Sequence, residues 1–122
     1  MSDMQKRLQE QVDYIFSELN IVQVPQTGIV LGTGLGDWIN NLNNRIEIPY
    51  EQIPGFPVPT VESHSGRLVY GTLYNIPLFV LQGRFHLYEG YTPEEICMGV
   101  RLLCLLGIEN LILTNAAGAI NP

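Results

Sequence analysis

The chain has 122 residues, room for one domain at most. With 46% hydrophobic and 15% charged residues it has a globular composition, well away from the disordered regime. Six Lys and Arg against twelve Asp and Glu leave a formal charge of −6. That balance argues against a duplex nucleic-acid footprint and against an anionic membrane surface. It leaves room for a small anionic ligand, which is held by local cations and backbone N–H groups rather than by net charge.

The N-terminus opens on polar residues, without the apolar core of a secretion signal, and no apolar run is long enough to span a bilayer. Residues 4–19 follow with Leu8, Val12, Ile15, Phe16 and Leu19 at helical spacing, which predicts an amphipathic helix that Ser2 or Asp3 can cap. Ile29-Val30-Leu31 is a short continuous apolar run of the kind found in buried strands, and it runs straight into Gly32-Thr33-Gly34-Leu35-Gly36. Arg45 to Ile48 is a short strand candidate. Four prolines (Pro49, Pro54, Pro57 and Pro59) predict an irregular loop over 49–66.

Leu68 to Leu73 and Ile76 to Leu81 are two further strand candidates, joined at Tyr74-Asn75 by a tight hairpin turn. The second delivers the chain to Gln82-Gly83-Arg84-Phe85-His86-Leu87-Tyr88-Glu89-Gly90-Tyr91. A helix is then signalled by Thr92 as cap, Pro93 at its first position, Glu95 completing a capping box and Gly107 at its close. Cys97 and Cys104, seven apart on it, stand ~10 Å apart along a straight helix, beyond disulfide reach. Reduced, buried thiols are expected, in keeping with a cytoplasmic location. Leu111-Ile112-Leu113 is another buried-type strand, leading into Thr114-Asn115-Ala116-Ala117-Gly118. The predicted fold class is α/β, a largely buried mixed sheet flanked by helices. Three loops (32–36, 83–91 and 114–118) follow apolar strands and are expected at their carboxyl ends, where open α/β sheets bind ligands.

Each loop carries chemistry beside a plainer alternative. Glycines at 32, 34 and 36 let successive N–H groups converge on an anion, with the Thr33 hydroxyl as a further donor, but an ordinary tight turn has the same composition. A dinucleotide fingerprint wants Gly or Ala where Asp37 stands, and a phosphate-binding P-loop wants Gly-Lys where Asp37-Trp38 stand. In the second loop Arg84 is a planar fork of donors for phosphate or carboxylate, and His86 adds a titratable donor. Alternation along an extended segment puts Arg84, His86 and Tyr88 on one side. His64 is the other histidine of the chain. The carboxylates Glu62 and Glu89 leave only a weak metal alternative, so no metal site is assigned. Asn115 to Gly118 permit close backbone approach to a ligand, as would any strand-to-loop junction.

Taken together, Gly32 through Gly36, His64-Ser65-Gly66-Arg67-Leu68, Gln82 through Tyr91 and Thr114 through Gly118 resemble, in order and spacing, the purine nucleoside phosphorylases of trimeric type. The resemblance covers nearly the whole chain and less than half of a family member. It implies the N-terminal portion of a single nucleoside phosphorylase-like domain over 1–122, incomplete because the chain stops at Pro122. Thr33, His64, Arg84, Phe85, His86 and Ala116 are implied phosphate contacts. Tyr88, Ala117 and Gly118 are implied at the nucleoside, and His86 and Glu89 are the implied catalytic residues. The implied reaction is reversible phosphorolysis of a purine nucleoside to the free base and ribose 1-phosphate. Phosphate is a co-substrate in it, and neither metal nor organic cofactor takes part. The resemblance also implies a homotrimer. The family's purine-recognising Glu and Asn and its second ribose-binding His have no counterpart in these residues, so no turnover is expected from this chain alone. The alternatives are a methylthioadenosine phosphorylase-type enzyme and a non-catalytic phosphate-binding or assembly fragment.

Overall fold

The computed structural model describes residues 2–21, 23–31, 36–56, 66–82 and 93–114, with the side chains of 36 and 93–96 left aside. Helix α1 (Asp3–Leu19) buries Leu8, Val12, Ile15 and Leu19 on one stripe. Of the two candidate caps, Ser2 takes the role. Its hydroxyl accepts from the Gln5 N–H at 3.1 Å, and its own N–H donates to Gln5 Oε1 at 2.9 Å. This reciprocal box satisfies two N-terminal donors that the helix leaves open.

Five strands follow: β1 (Thr27–Leu31), β2 (Asn43–Pro49), β3 (Arg67–Leu73), β4 (Ile76–Gln82) and β5 (Asn110–Leu113), with helix α2 (Pro93–Leu106) between the last two. They form one mixed sheet in the order β2-β3-β4-β1-β5. The β2-β3 and β3-β4 pairs are antiparallel, and β1 lies parallel to both β4 and β5. The α/β mixed sheet is thus the observed fold. The hairpin turn falls at Tyr74-Asn75, both with positive φ (51° and 66°), as a two-residue turn matched to strand twist requires.

Alternate residues of the central strands serve different cores, which is why their sequences read as unbroken apolar runs. Val30, Leu68, Phe79 and Leu81 face α1 and α2, where they meet Ile15, Met98, Leu102 and Leu103. Ile29, Leu31, Val69, Leu78 and Val80 face the other way, toward Ile39 and Leu42. Ile39 belongs to a short 3-10 helix (Gly36–Asn41) that the sequence pattern did not reveal, because six residues are too few to show a period.

Two expectations are overturned. Cys97 and Cys104 are free but exposed, not buried. Helix α2 turns Met98, Leu102, Leu103 and Leu106 inward, and Cys97, Arg101 and Cys104 form the opposite stripe. Strand β5 is an exposed edge rather than a buried strand, with every residue of Asn110–Leu113 accessible. It has β1 on one side and no described strand on the other.

Candidate functional site

Because β1, β4 and β5 run parallel, their carboxyl ends share one edge of the sheet. Leu31 pairs with Gln82, and Val30 with Leu113. Strand β3 is antiparallel to β4 and starts with Arg67 opposite Gln82, so the chain enters β3 from this same edge. Three exits and one entry therefore lie side by side, after Leu31, Gln82 and Thr114 and before Arg67.

Specific contacts hold the described ends. Thr114 is tied to β1 twice, its N–H and its hydroxyl both donating to the Val30 carbonyl, at 3.0 and 2.8 Å. Gly66 is buried, and its carbonyl accepts the Tyr50 N–H at 3.1 Å. A Cβ at Gly66 would overlap the Tyr50 ring and stand 3.2 Å from the Gln82 carbonyl oxygen, so only glycine lets β3 start this close to the end of β4. Next to it, Arg67 donates from Nη1 to Glu47 Oε1 at 2.5 Å, and Arg45 Nε stands 4.0 Å from Glu47 Oε2. The Arg67 guanidinium is thus engaged on the sheet surface. Tyr50 is wholly buried, and desolvation pushes its phenol pKa far above the ordinary value.

Thr33, His64, Arg84, Phe85, His86, Tyr88, Glu89, Ala116, Ala117 and Gly118 all lie outside the described residues. Their covalent neighbours do not. Thr33 is two residues beyond Leu31, Arg84 two beyond Gln82, Ala116 two beyond Thr114, and His64 two before Gly66. The structure therefore brings together the four points from which these segments depart or return. Tyr50 escaped the sequence-based prediction, which read 49–66 as an irregular loop and singled out only His64 and its neighbours within it. The spacing of Tyr50, Ile53 and Phe56, three residues apart and all buried, was the available signal within the proline-rich stretch.

A mixed sheet with helices packed on one face, and with its parallel strands opening onto one edge, places the molecule among α/β proteins that take small ligands at strand carboxyl ends. The family described as the Phosphorylase superfamily matches residues 26–122, and the chain belongs to that superfamily. It is 47% identical over 106 residues to purine nucleoside phosphorylase 1 of Bacillus subtilis, covering 87% of this chain and 39% of that protein. To purine nucleoside phosphorylase 1 of Geobacillus stearothermophilus it is 52% identical over 97 residues, covering 80% and 35%. The crystal structure of the Schistosoma mansoni purine nucleoside phosphorylase in complex with acetate superposes with a TM-score of 0.82 at 39% identity, covering 91% of this chain and 40% of that one. A purine nucleoside phosphorylase in complex with ribose 1-phosphate gives 0.82 at 40% identity, with coverage of 91% and 40%. The chain thus spans well under half the length of these relatives. Among the described residues, no helix is long and apolar enough to cross a membrane.

Proposed function

We propose that this chain supplies the phosphate-binding side of a purine nucleoside phosphorylase, an enzyme that cleaves a purine nucleoside with phosphate to give free base and ribose 1-phosphate. The observation that carries the proposal is the gathering of Leu31, Gly66, Gln82 and Thr114 at one sheet edge. Two residues of chain reach ~7 Å at most. The four adjacent strands behind those tethers span only ~14 Å at ordinary strand spacing. Thr33, His64, Arg84 and Ala116 each follow or precede one of these points by two residues in sequence, which supports the reading that one oxyanion takes donors from all four.

Cleavage of the glycosidic bond develops positive charge on the sugar, as in glycoside hydrolysis. A phosphate dianion fixed below that sugar both stabilises the charge and acts as nucleophile, so its placement is catalysis by orientation and electrostatics. Arg84, His86, His64, the Thr33 hydroxyl and the N–H groups at Phe85 and Ala116 hold the phosphate in this reading. Tyr88, Ala117 and Gly118 border the nucleoside, and Glu89 orients the site. Phosphate is the co-substrate, and no metal or organic cofactor enters. A cytoplasmic homotrimer belongs to the same reading, by resemblance to the family.

Calorimetric titration with inorganic phosphate tests it. The parent chain binds, and Arg84→Ala, which removes charge-assisted hydrogen bonds, weakens binding by about 10- to 100-fold. Equal affinity in the variant would overturn the assignment. With inosine and phosphate, this chain alone is expected to release no measurable hypoxanthine. Turnover comparable to that of the longer relatives would show that these residues suffice.

A further inference from the structure

Strand β3 starts at the sheet edge where β1, β4 and β5 end, and its first residue is a cation. Arg67 pairs with Gln82, and Gln82 with Leu31, so the three side chains stand in one row on one face of the sheet. One row further in, Val69 pairs with Val80 on one side and with Glu47 on the other. The Arg67 side chain does not stay in its own row. It leans back and across to β2, where Nη1 donates to Glu47 Oε1 at 2.5 Å. Its other N–H groups meet no acceptor among the described residues. Glu47 is itself flanked by a second, anchored cation. Arg45 Nη1 donates to the Ile39 carbonyl at 3.1 Å and to Asn40 Oδ1 at 2.9 Å, which fixes that guanidinium against the 3-10 helix. Arg45 Nε then stands 4.0 Å from Glu47 Oε2. Of the two arginines beside the carboxylate, Arg67 is therefore the one with donors to spare.

We propose that Glu47 is a positioning residue which holds Arg67, a latent anion ligand, back from the sheet edge and so sets how tightly phosphate binds there. The inference rests on the phosphate-binding reading above. A guanidinium is a planar fork matched to phosphate oxygens, and a released one in the row of Gln82 is drawn to an anion at that edge. Such a contact acts on substrate and transition state alike, so it tightens phosphate without speeding the reaction. Glu47 withholds it by offering a nearer negative charge. The Arg67 and Glu47 side chains are 35% and 32% exposed, and a pair this accessible is weak enough for a change of partner.

Titration with inorganic phosphate tests this, with affinity read by calorimetry and the Arg67 Nε–H signal followed by NMR. Three proteins are compared: the parent, Glu47→Gln and the double variant Glu47→Gln with Arg67→Gln. In the parent the Arg67 signal stays in place as phosphate is added. Glu47→Gln keeps the size of the side chain and removes its charge. It is expected to bind phosphate about threefold tighter, with the Arg67 signal shifting as the site fills. The double variant returns to near the parental affinity. Equal affinity in the parent and Glu47→Gln would overturn the proposal, and so would an Arg67 signal that already moves in the parent. A gain that survives in the double variant would assign the effect to lost negative charge alone and overturn it too. A parent that binds no phosphate would overturn the functional reading and this inference with it, and the parent's own titration tells that failure from the others.

Discussion

At the scale of a single side chain, the burial of Tyr50 has a measurable consequence. Its phenol is wholly buried, and desolvation raises its folded pKa well above the ordinary value near 10. Below pH ~10 the phenol is protonated whether the chain is folded or not, and it adds no pH dependence. Above that the unfolded chain releases the proton while the folded chain keeps it, so the native state binds more protons and stability falls as pH rises. The slope expected from one such group is about 1.4 kcal/mol per pH unit. Urea unfolding across the alkaline range should show this component in the parent and lose it in Tyr50→Phe. Parallel curves for the two proteins would mean the phenol ionises freely in the native state. Little of this was legible in the sequence, where Tyr50 follows Pro49 at the end of a strand, precedes three further prolines and carries no motif beyond its spacing to Ile53 and Phe56. Burial of a lone tyrosine is decided by tertiary contacts from β3 and the 53–56 turn, which local pattern does not encode.

Elements were far more legible than individual contacts. The amphipathic stripe and cap of α1, the hairpin at Tyr74-Asn75 and the close of α2 at Gly107, which adopts φ 111°, each follow from local chemistry that tertiary structure did not override. What the period of α2 left undecided was which of its apolar residues face inward, since leucines and cysteines surround much of it. Leu102 is wholly buried, whereas Leu105 is 51% exposed. Leu102→Ala is therefore expected to cost about 2–5 kcal/mol, and Leu105→Ala to stay within about 0.5 kcal/mol. Chemical denaturation of the two variants checks the orientation of the helix, and comparable losses would contradict it. The thiols went astray for the same reason. Cysteine is usually buried, but the heptad step from 97 to 104 returns to one stripe, and here that stripe faces outward.

For the whole molecule, β5 forms one edge of the sheet, with β1 beside it and no further strand among the described residues. Leu111, Ile112 and Leu113 on it are 38%, 48% and 61% exposed, and Ile112 lines an apolar cavity of about 390 Å³ with Ile29, Leu31, Trp38 and Thr114. An apolar strand with free backbone donors and acceptors is a template for another strand. This chain is therefore expected to self-associate as its concentration rises, and Ile112→Lys to suppress the association, in light scattering. A parent that stays monomeric at high concentration would contradict this. The candidate site was legible in part. The ends of β1, β4 and β5 were expected from the sequence to be ligand-binding strand ends, whereas the start of β3 at the same edge follows only from strand order and direction. That convergence is the centre of the account, and phosphate titration followed by backbone amide NMR tests it most directly. The predicted result is a set of shifted amides gathered at Leu31, Gly66, Gln82 and Thr114, with Asn75 and Asn110 at the opposite edge unmoved. Shifts centred on α1 and α2, or none at all, would contradict it.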